Sequence, residues 1–323
     1  MALDRVLVTG ATGFVGSALC DLLAQRGYQV RAAVRIACSM PASVSETAVV
    51  GDIGATTDWT AALDGVNFII HTAARAHVMG DTERNSSLYT ATNADGSRCL
   101  ADAAVLAGVR RFIYLSSIKV NGEETEGRAY TGDDIPQPQG AYGSSKWAGE
   151  KSVMQIAAAT AMQAVVIRSP IVYGPGVRAN FFRLMSWVDK ERPIPLGAVR
   201  NSRSLVSVWN LCDLLVDVLS NPPASGRTWM VSDAEDLSTP DLIRRIGKVM
   251  KRRVRLIPVP VSLLRIGGKV LGRTSDVARL CGSLAVDVTQ TRAVLGWCPP
   301  LTIDEGLART VEWYFSKGST SVR

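Results

Sequence analysis

The chain has 323 residues, 47 % hydrophobic and 20 % charged, so it can bury a large core in one compact unit or two closely joined lobes. No segment approaches ~18 uninterrupted apolar residues and no charged stretch followed by an apolar one opens the chain, which argues against stable membrane insertion and a signal peptide and for a soluble cytoplasmic protein. Six cysteines without C-x-x-C spacing read as reduced core thiols, two unclustered histidines argue against a catalytic metal, and the net charge of +7, dispersed without aromatic interleaving, suits an anionic small substrate better than nucleic acid.

The chain opens with an apolar run at 5–8, then T-G-A-T-G-F-V-G, then an amphipathic stretch at 14–26 closed by Gly27. This reads as a buried strand, a glycine-rich turn and a helix. Gly10 makes the tight turn, Gly13 allows close approach of a pyrophosphate, and Gly16 lets helix and strand pack closely, with the N–H groups at the helix start facing the phosphates. Further apolar runs at 28–34, 47–50, 66–70, 111–116 and 163–167 alternate with helical patterns and predict a doubly wound parallel α/β sheet with its ligand across the carboxyl edge. From about residue 171 prolines punctuate shorter elements, which predicts a dinucleotide-binding domain over 1–170, with later segments returning to it, and a smaller substrate-binding lobe over 171–323. There is no internal repeat, and the tail from 317 reads as frayed.

The chemistry lies between 116 and 146. Ser116 and Ser117 end the apolar run R-R-F-I-Y-L-S-S, and Tyr142 and Lys146 follow in A-Y-G-S-S-K, four residues apart in a helix expected over 141–159. That spacing sets phenol and ammonium on one helix face, where the ammonium is expected to lower the phenol pKa towards neutrality while Ser117 holds the same substrate oxygen. Such a set reduces carbonyls or oxidises alcohols.

T-G-A-T-G-F-V-G, H-T-A-A at 71–74, S-S-I-K-V-N-G, Y-G-S-S-K and R-S-P-I-V-Y-G-P-G at 168–176 resemble the extended short-chain dehydrogenase/reductase superfamily, in its nucleotide-sugar epimerase, dehydratase and reductase branch. The resemblance implies a Rossmann-like fold, a catalytic triad of Ser117, Tyr142 and Lys146, and a homodimer joined by a four-helix bundle that includes the Tyr142 helix. It assigns cofactor contacts to Gly10, Gly13, Phe14, Val15, Gly16, Asp52, Ile53, Thr72, Ala73, Ala74, Asn93 and Ser169, and to Tyr142 and Lys146 through the nicotinamide ribose. Arg35, at the end of the second strand where an NAD enzyme usually offers a carboxylate, suits a 2'-phosphate and favours NADP over NAD.

Asn180 and Arg203 stand where nucleotide-sugar relatives hold the diphosphate, and Pro195, Leu196 and Gly197 resemble the segment lying against uracil. A last diphosphate contact falls to Arg279 or Arg273, and the substrate is expected to be a UDP-sugar. Sugar-nucleotide 4,6-dehydratases carry an Asp-Glu pair after the catalytic hydroxyl. Here Ile118 and Lys119 stand there, which removes the proton carriers of dehydration. V-N-G with Asn121, in place of V-Y-G, departs from the common UDP-hexose 4-epimerases.

Arg35 tilts the expected reaction towards NADPH-dependent reduction of the 4-keto group of a UDP-linked 6-deoxy-hexosamine, whose products feed surface polysaccharide in relatives. The alternative is an NAD(P)-dependent UDP-sugar 4-epimerase. V-S-L-L-R-I-G-G-K-V-L-G-R at 261–273 could lie on an acidic membrane, but Gly267, Gly268 and Gly272 predict a poor helix and hence a substrate loop. His71 is expected to pack or bond the backbone, and His77 to line the sugar pocket.

Overall fold

The structure, a computed structural model, describes residues 3–76 and 83–320; His77 lies outside them. The first half alternates strand and helix: β1 (Arg5–Thr9), α1 (Phe14–Gln25), β2 (Gln29–Val34), β3 (Glu46–Val49), α2 (Thr60–Leu63), β4 (Phe68–His71), α3 (Glu83–Tyr89), α4 (Gly96–Leu106), β5 (Arg111–Ser117), α5 (Gly140–Ala158) and β6 (Gln163–Ser169). The second half contributes β7 (Ile171–Tyr173), α6 (Ala179–Asp189), β8 (Arg203–Ser207), α7 (Val208–Ser220), β9 (Arg227–Met230), β10 (Asp236–Leu237), α8 (Thr239–Met250), α9 (Val261–Val270), α10 (Thr274–Cys281), α11 (Thr289–Leu295) and α12 (Ile303–Thr320).

Seven strands form one parallel sheet in the order β3-β2-β1-β4-β5-β6-β9. Its strands are apolar on both faces because helices cover both. Along β1 the period of two sends Val6 and Val8 into a core with Leu19 and Leu23 of α1 and Leu215 of α7, while Leu7 faces Leu100 of α4 and Val153 of α5. The strand order reverses between β1 and β4, so the carboxyl ends of these strands flank the crevice in which such sheets bind ligands. The second-half elements α7 and β9 rejoin this layer, α7 packing on α1 and β9 pairing with β6.

A separate sheet has the order β10-β8-β7, while α11 packs on β9 of the large sheet. A third apolar core, including Phe181, Met185, Ile243, Ile246 and Leu307, joins α6, α8 and α12 beside it.

The segment at 261–273 departs from expectation, since α9 runs through Gly267 and Gly268. Tertiary packing overrides helix propensity there: a Cβ on Gly268 would stand 2.6 Å from Val277 Cγ2 of α10, so the small residue lets the two helices approach.

At the nucleotide turn, Gly10 has φ +68°, a left-handed conformation. A Cβ on Gly16 would stand 2.1 Å from the Gly10 carbonyl oxygen. Backbone cannot yield as a side chain tip would, so Gly16→Ala is expected to destabilise the fold by more than about 2 kcal/mol. A urea midpoint equal to that of the wild type would contradict this packing.

Candidate active site

Ser117 sits at the carboxyl end of β5, in line with the carboxyl end of β6 at Ser169. Its Oγ accepts from Lys119 N at 3.3 Å, capping the short 3-10 turn Ile118–Val120. Tyr142 is the third residue of α5, and the Ser117 hydroxyl lies close enough to its phenol to favour the phenolate. The structure therefore brings Ser117 and Tyr142 together, and Tyr89 of α3 lies edge-on to the Tyr142 ring at 6.0 Å.

Lys146 is one turn further along α5 and only 1 % exposed. Its ammonium stands 3.9 Å from the centre of the Tyr114 ring, a cation–π contact beneath the sheet edge. This corrects the expected electrostatics. Burial raises the Tyr142 phenol above its ordinary value, Ser117 pulls it back, and Lys146 exerts no resolved pull. Burial instead pushes the ammonium itself down to about 7, against the opposing effect of Glu150 one turn away.

Asn93 ties the region together. It lies in a wide π-helical turn, Thr90–Asp95, of the kind often found at functional sites. Its Oδ1 accepts from Arg75 N at 2.8 Å, and its Nδ2 donates to Arg75 O and to Ser145 Oγ, both at 3.0 Å. The Tyr114 hydroxyl donates to its carbonyl at 3.1 Å. The Tyr142 helix, the strand beneath it and the loop after β4 thus share one residue.

His71 is fully buried, bonding Thr9 Oγ1 through Nδ1 at 2.6 Å and Ser97 Oγ through Nε2 at 2.9 Å. It packs as expected, against the rings of Phe112 and Tyr114, but its hydrogen bonds go to side chains rather than to the backbone. Burial first, then the Lys146 charge, lower its pKa to about 3, so it is a neutral structural group.

The glycine turn fits a dinucleotide. Gly13 N donates to Gly10 O at 2.8 Å, and α1 opens at Gly13 with no side-chain cap, leaving its first N–H groups at Phe14 and Val15 for an anion. Thr72 Oγ1 donates to Thr9 O at 2.7 Å and Ala73 N to Thr9 Oγ1 at 3.2 Å, so Thr72 to Ala74 run alongside this turn. Asp52 and Ile53 follow β3 on the same side of the sheet, and Arg35 directly follows β2. The sequence reading treated Arg35 alone. In the fold its guanidinium is 3.6 Å from the Asp52 carboxylate, both exposed, so a negative charge accompanies the arginine where a 2'-phosphate would sit.

On the substrate side, Arg203 opens β8 and donates to Gly282 O at 2.9 Å. It and Lys119 are both held below their ordinary pKa first by burial, and both also feel the charge of Arg279 in α10. Lys119, Arg203 and Arg279 thus stand within electrostatic range of one another, countered by Glu123, which pairs with Lys119, and by Glu124. Arg203 and Arg279 were anticipated; Lys119 was missed as a member of the cluster, though its position two residues after Ser117 was a signal. Asn180 opens α6 and bonds Arg183, which reaches Asp276 of α10 at 3.5 Å. Pro195 and Leu196 lie in a turn rather than the extended segment expected, between Ile194 and Gly197, which bond residues 255–257, and the Leu196 side chain is committed to the small-lobe core.

Asn121 also has a structural role that sequence reasoning missed. Its Oδ1 accepts from Arg168 Nη1 at 3.0 Å, while Arg168 pairs with Glu150 at 2.6 Å, both side chains 2 % exposed or less. Glu150 at i+4 from Lys146 was the available signal.

The NAD dependent epimerase/dehydratase family profile matches residues 6–231. A UDP-glucose 4-epimerase of Vibrio cholerae is 42 % identical over 311 residues, 95 % of this chain and 94 % of its own. The N-acetyl-alpha-D-glucosaminyl-diphospho-ditrans,octacis-undecaprenol 4-epimerase of Escherichia coli O157:H7 is 25 % identical over 327 residues, 97 % of this chain and 96 % of its own. The structure of MoeE5 in complex with UDP-glucose and NAD superposes with a TM-score of 0.76 at 25 % identity, covering 97 % of this chain and 99 % of that one. The chain belongs to the NAD dependent epimerase/dehydratase family, within the nucleotide-sugar branch of the extended short-chain dehydrogenase/reductases.

Between its folded pKa of about 7 and its ordinary 10.5, Lys146 binds a proton in the unfolded chain that the folded chain releases, so its burial lowers stability below pH 7 and the penalty fades as pH rises to 10.5. Lys146→Met is therefore expected to raise stability by on the order of 1–4 kcal/mol below neutrality. The gain should shrink towards nothing in alkali. A methionine variant that unfolds more easily at acid pH would overturn this account.

Proposed function

We propose that the protein is a 4-epimerase of a UDP-linked hexose or N-acetylhexosamine, working with NAD. The observation that carries this is the 42 % identity, across 95 % of the chain, to a UDP-glucose 4-epimerase, in a protein that keeps Ser117, Tyr142 and Lys146. The relative acting on an N-acetylglucosaminyl diphosphate keeps the acetamido sugar in view. The Asp52 carboxylate beside Arg35 favours a 2'-hydroxyl over a 2'-phosphate.

Bound NAD would supply the hydride acceptor for C4 of the sugar, the donor for its return, and a positive charge beside the phenol. Gly10, Gly13 and Gly16, with the N–H groups of Phe14 and Val15, hold its pyrophosphate. Asp52, Ile53 and Thr72 to Ala74 line its adenosine half, Ser169 borders the site, and Lys146 bonds its ribose. Arg203, Arg279, Lys119 and Asn180 meet the UDP diphosphate, and Pro195 and Leu196 offer backbone to the base.

Tyr142 as phenolate takes the proton of the sugar 4-hydroxyl while the C4 hydrogen leaves with its electron pair. Ser117 donates to the oxygen, which becomes a ketone. Once the sugar presented its other face, hydride would return to C4 from the bound cofactor and Tyr142 would give the proton back. Neither water nor a second reductant enters the balance. With Ile118 and Lys119 after Ser117, no carboxyl group stands there to eliminate water across C5 and C6.

One observation favours a second reading. Arg35 at the end of β2 suits NADPH, and an exchangeable NADPH would make the same site a 4-ketoreductase of a UDP-6-deoxy-hexosamine, the first expectation from sequence. The sugar test separates them. Interconversion of UDP-hexose or UDP-N-acetylhexosamine C4 epimers without net loss of nicotinamide is the expected result. Stoichiometric NADPH loss with a UDP-4-keto-6-deoxy-hexosamine, giving a product two mass units heavier by addition of H2, would move the assignment to the reductase.

Because the Ser117 hydroxyl lowers the phenol pKa and burial raises it, Ser117→Ala should shift the acid limb of the kcat/KM profile to higher pH and slow turnover by about 10²–10³. An unshifted limb would mean that Tyr142 is not the proton carrier.

A further inference from the structure

The basic residues are dispersed along the chain, but one stretch carries them without any acidic residue. Residues 251–273 hold seven lysines and arginines and no aspartate or glutamate. Helix α9 lies within it and is apolar on two opposite sides. Val261, Leu264 and Gly268, at helical spacing, face inward to the small-lobe core and to α10. Leu263, Ile266 and Val270 share the opposite face and are 57 %, 60 % and 80 % exposed, with Leu271 beyond them at 74 %. Arg265 and Lys269 sit together on one flank, four residues apart, and Arg273 follows the turn.

A face needed only for folding would not carry a second apolar stripe in water, and a solvated one would not be this apolar. Aliphatic tips between long cationic side chains, with no carboxylate in the stretch, fit the interface of a bilayer with anionic headgroups: the tips enter the acyl boundary and the cations remain among the phosphates. Among the described residues no helix is long and apolar enough to cross a membrane. We infer that α9 and the turn after it dock the enzyme reversibly on an anionic membrane surface. This does not rest on which sugar reaction the active site performs.

The test is co-sedimentation of the full chain with phosphatidylcholine vesicles and with vesicles containing about 30 % phosphatidylglycerol, at low and high salt. The wild type should pellet with the anionic vesicles only, and release as salt rises. Ile266→Glu/Val270→Glu should bind at least about tenfold more weakly, and Lys269→Glu should lose much of the binding while both keep wild-type melting and turnover. Equal pelleting with neutral and anionic vesicles, or undiminished binding by the double variant, would overturn the proposal. So would a self-association of the wild type, seen by sedimentation velocity and abolished in the double variant, which would make the face a contact between two copies. An increased KM for the UDP-sugar in the double variant, without vesicle binding by the wild type, would make α9 a cover for the substrate site.

Discussion

Lys146 carries an ammonium into a place that water barely reaches, and much of the site is arranged around that burial. The Tyr114 ring lies against the charge, Glu150 stands one turn away, and Glu150 is paired by Arg168, which also donates to Asn121. A buried ion is tolerated only where its neighbours replace the lost hydration. Here those neighbours come from β5, α5, β6 and the turn after β5, so the charge fixes how these elements meet. The same low dielectric lifts the Tyr142 phenol and leaves its proton affinity sensitive to one hydroxyl, Ser117.

Asn93 transmits that arrangement to the nucleotide side. By bonding Arg75, Ser145 and, through its carbonyl, Tyr114, it couples the loop after β4 to the catalytic helix. The loop is also tied to the end of β1 through Thr9, which bonds His71, Thr72 and Ala73. The glycine turn and the Tyr142 helix are therefore parts of one hydrogen-bonded frame along the sheet's carboxyl edge.

Most of this edge was legible because it uses local patterns. The apolar runs gave strands within a few residues of those observed, and the glycine spacing and the Tyr-x-x-x-Lys spacing are constraints along the chain. What stayed hidden depends on residues far apart. Lys119, Arg203 and Arg279 come together across nearly half the chain, and no periodicity relates them. The pull of burial on Tyr142 and Lys146 could not be read from the helix, since spacing says which side chains are neighbours but not how much water surrounds them. Arg35 was legible, but its pairing with Asp52 in the loop after β3 was not. In α9 the glycines argued against a helix, and only the packing of Gly268 on Val277 explains why one forms.

The central claim is that one site removes hydride from C4 of a UDP-sugar and returns it to the opposite face without release of the cofactor. The most direct measurement is to supply a UDP-hexose and a UDP-N-acetylhexosamine deuterated at C4 and to follow the label in the product by mass spectrometry and NMR. The account predicts inversion at C4 with the deuterium retained there, and none in the solvent or in free nicotinamide. Deuterium appearing in released NADH or NADPH, or no inversion of either sugar, would contradict it.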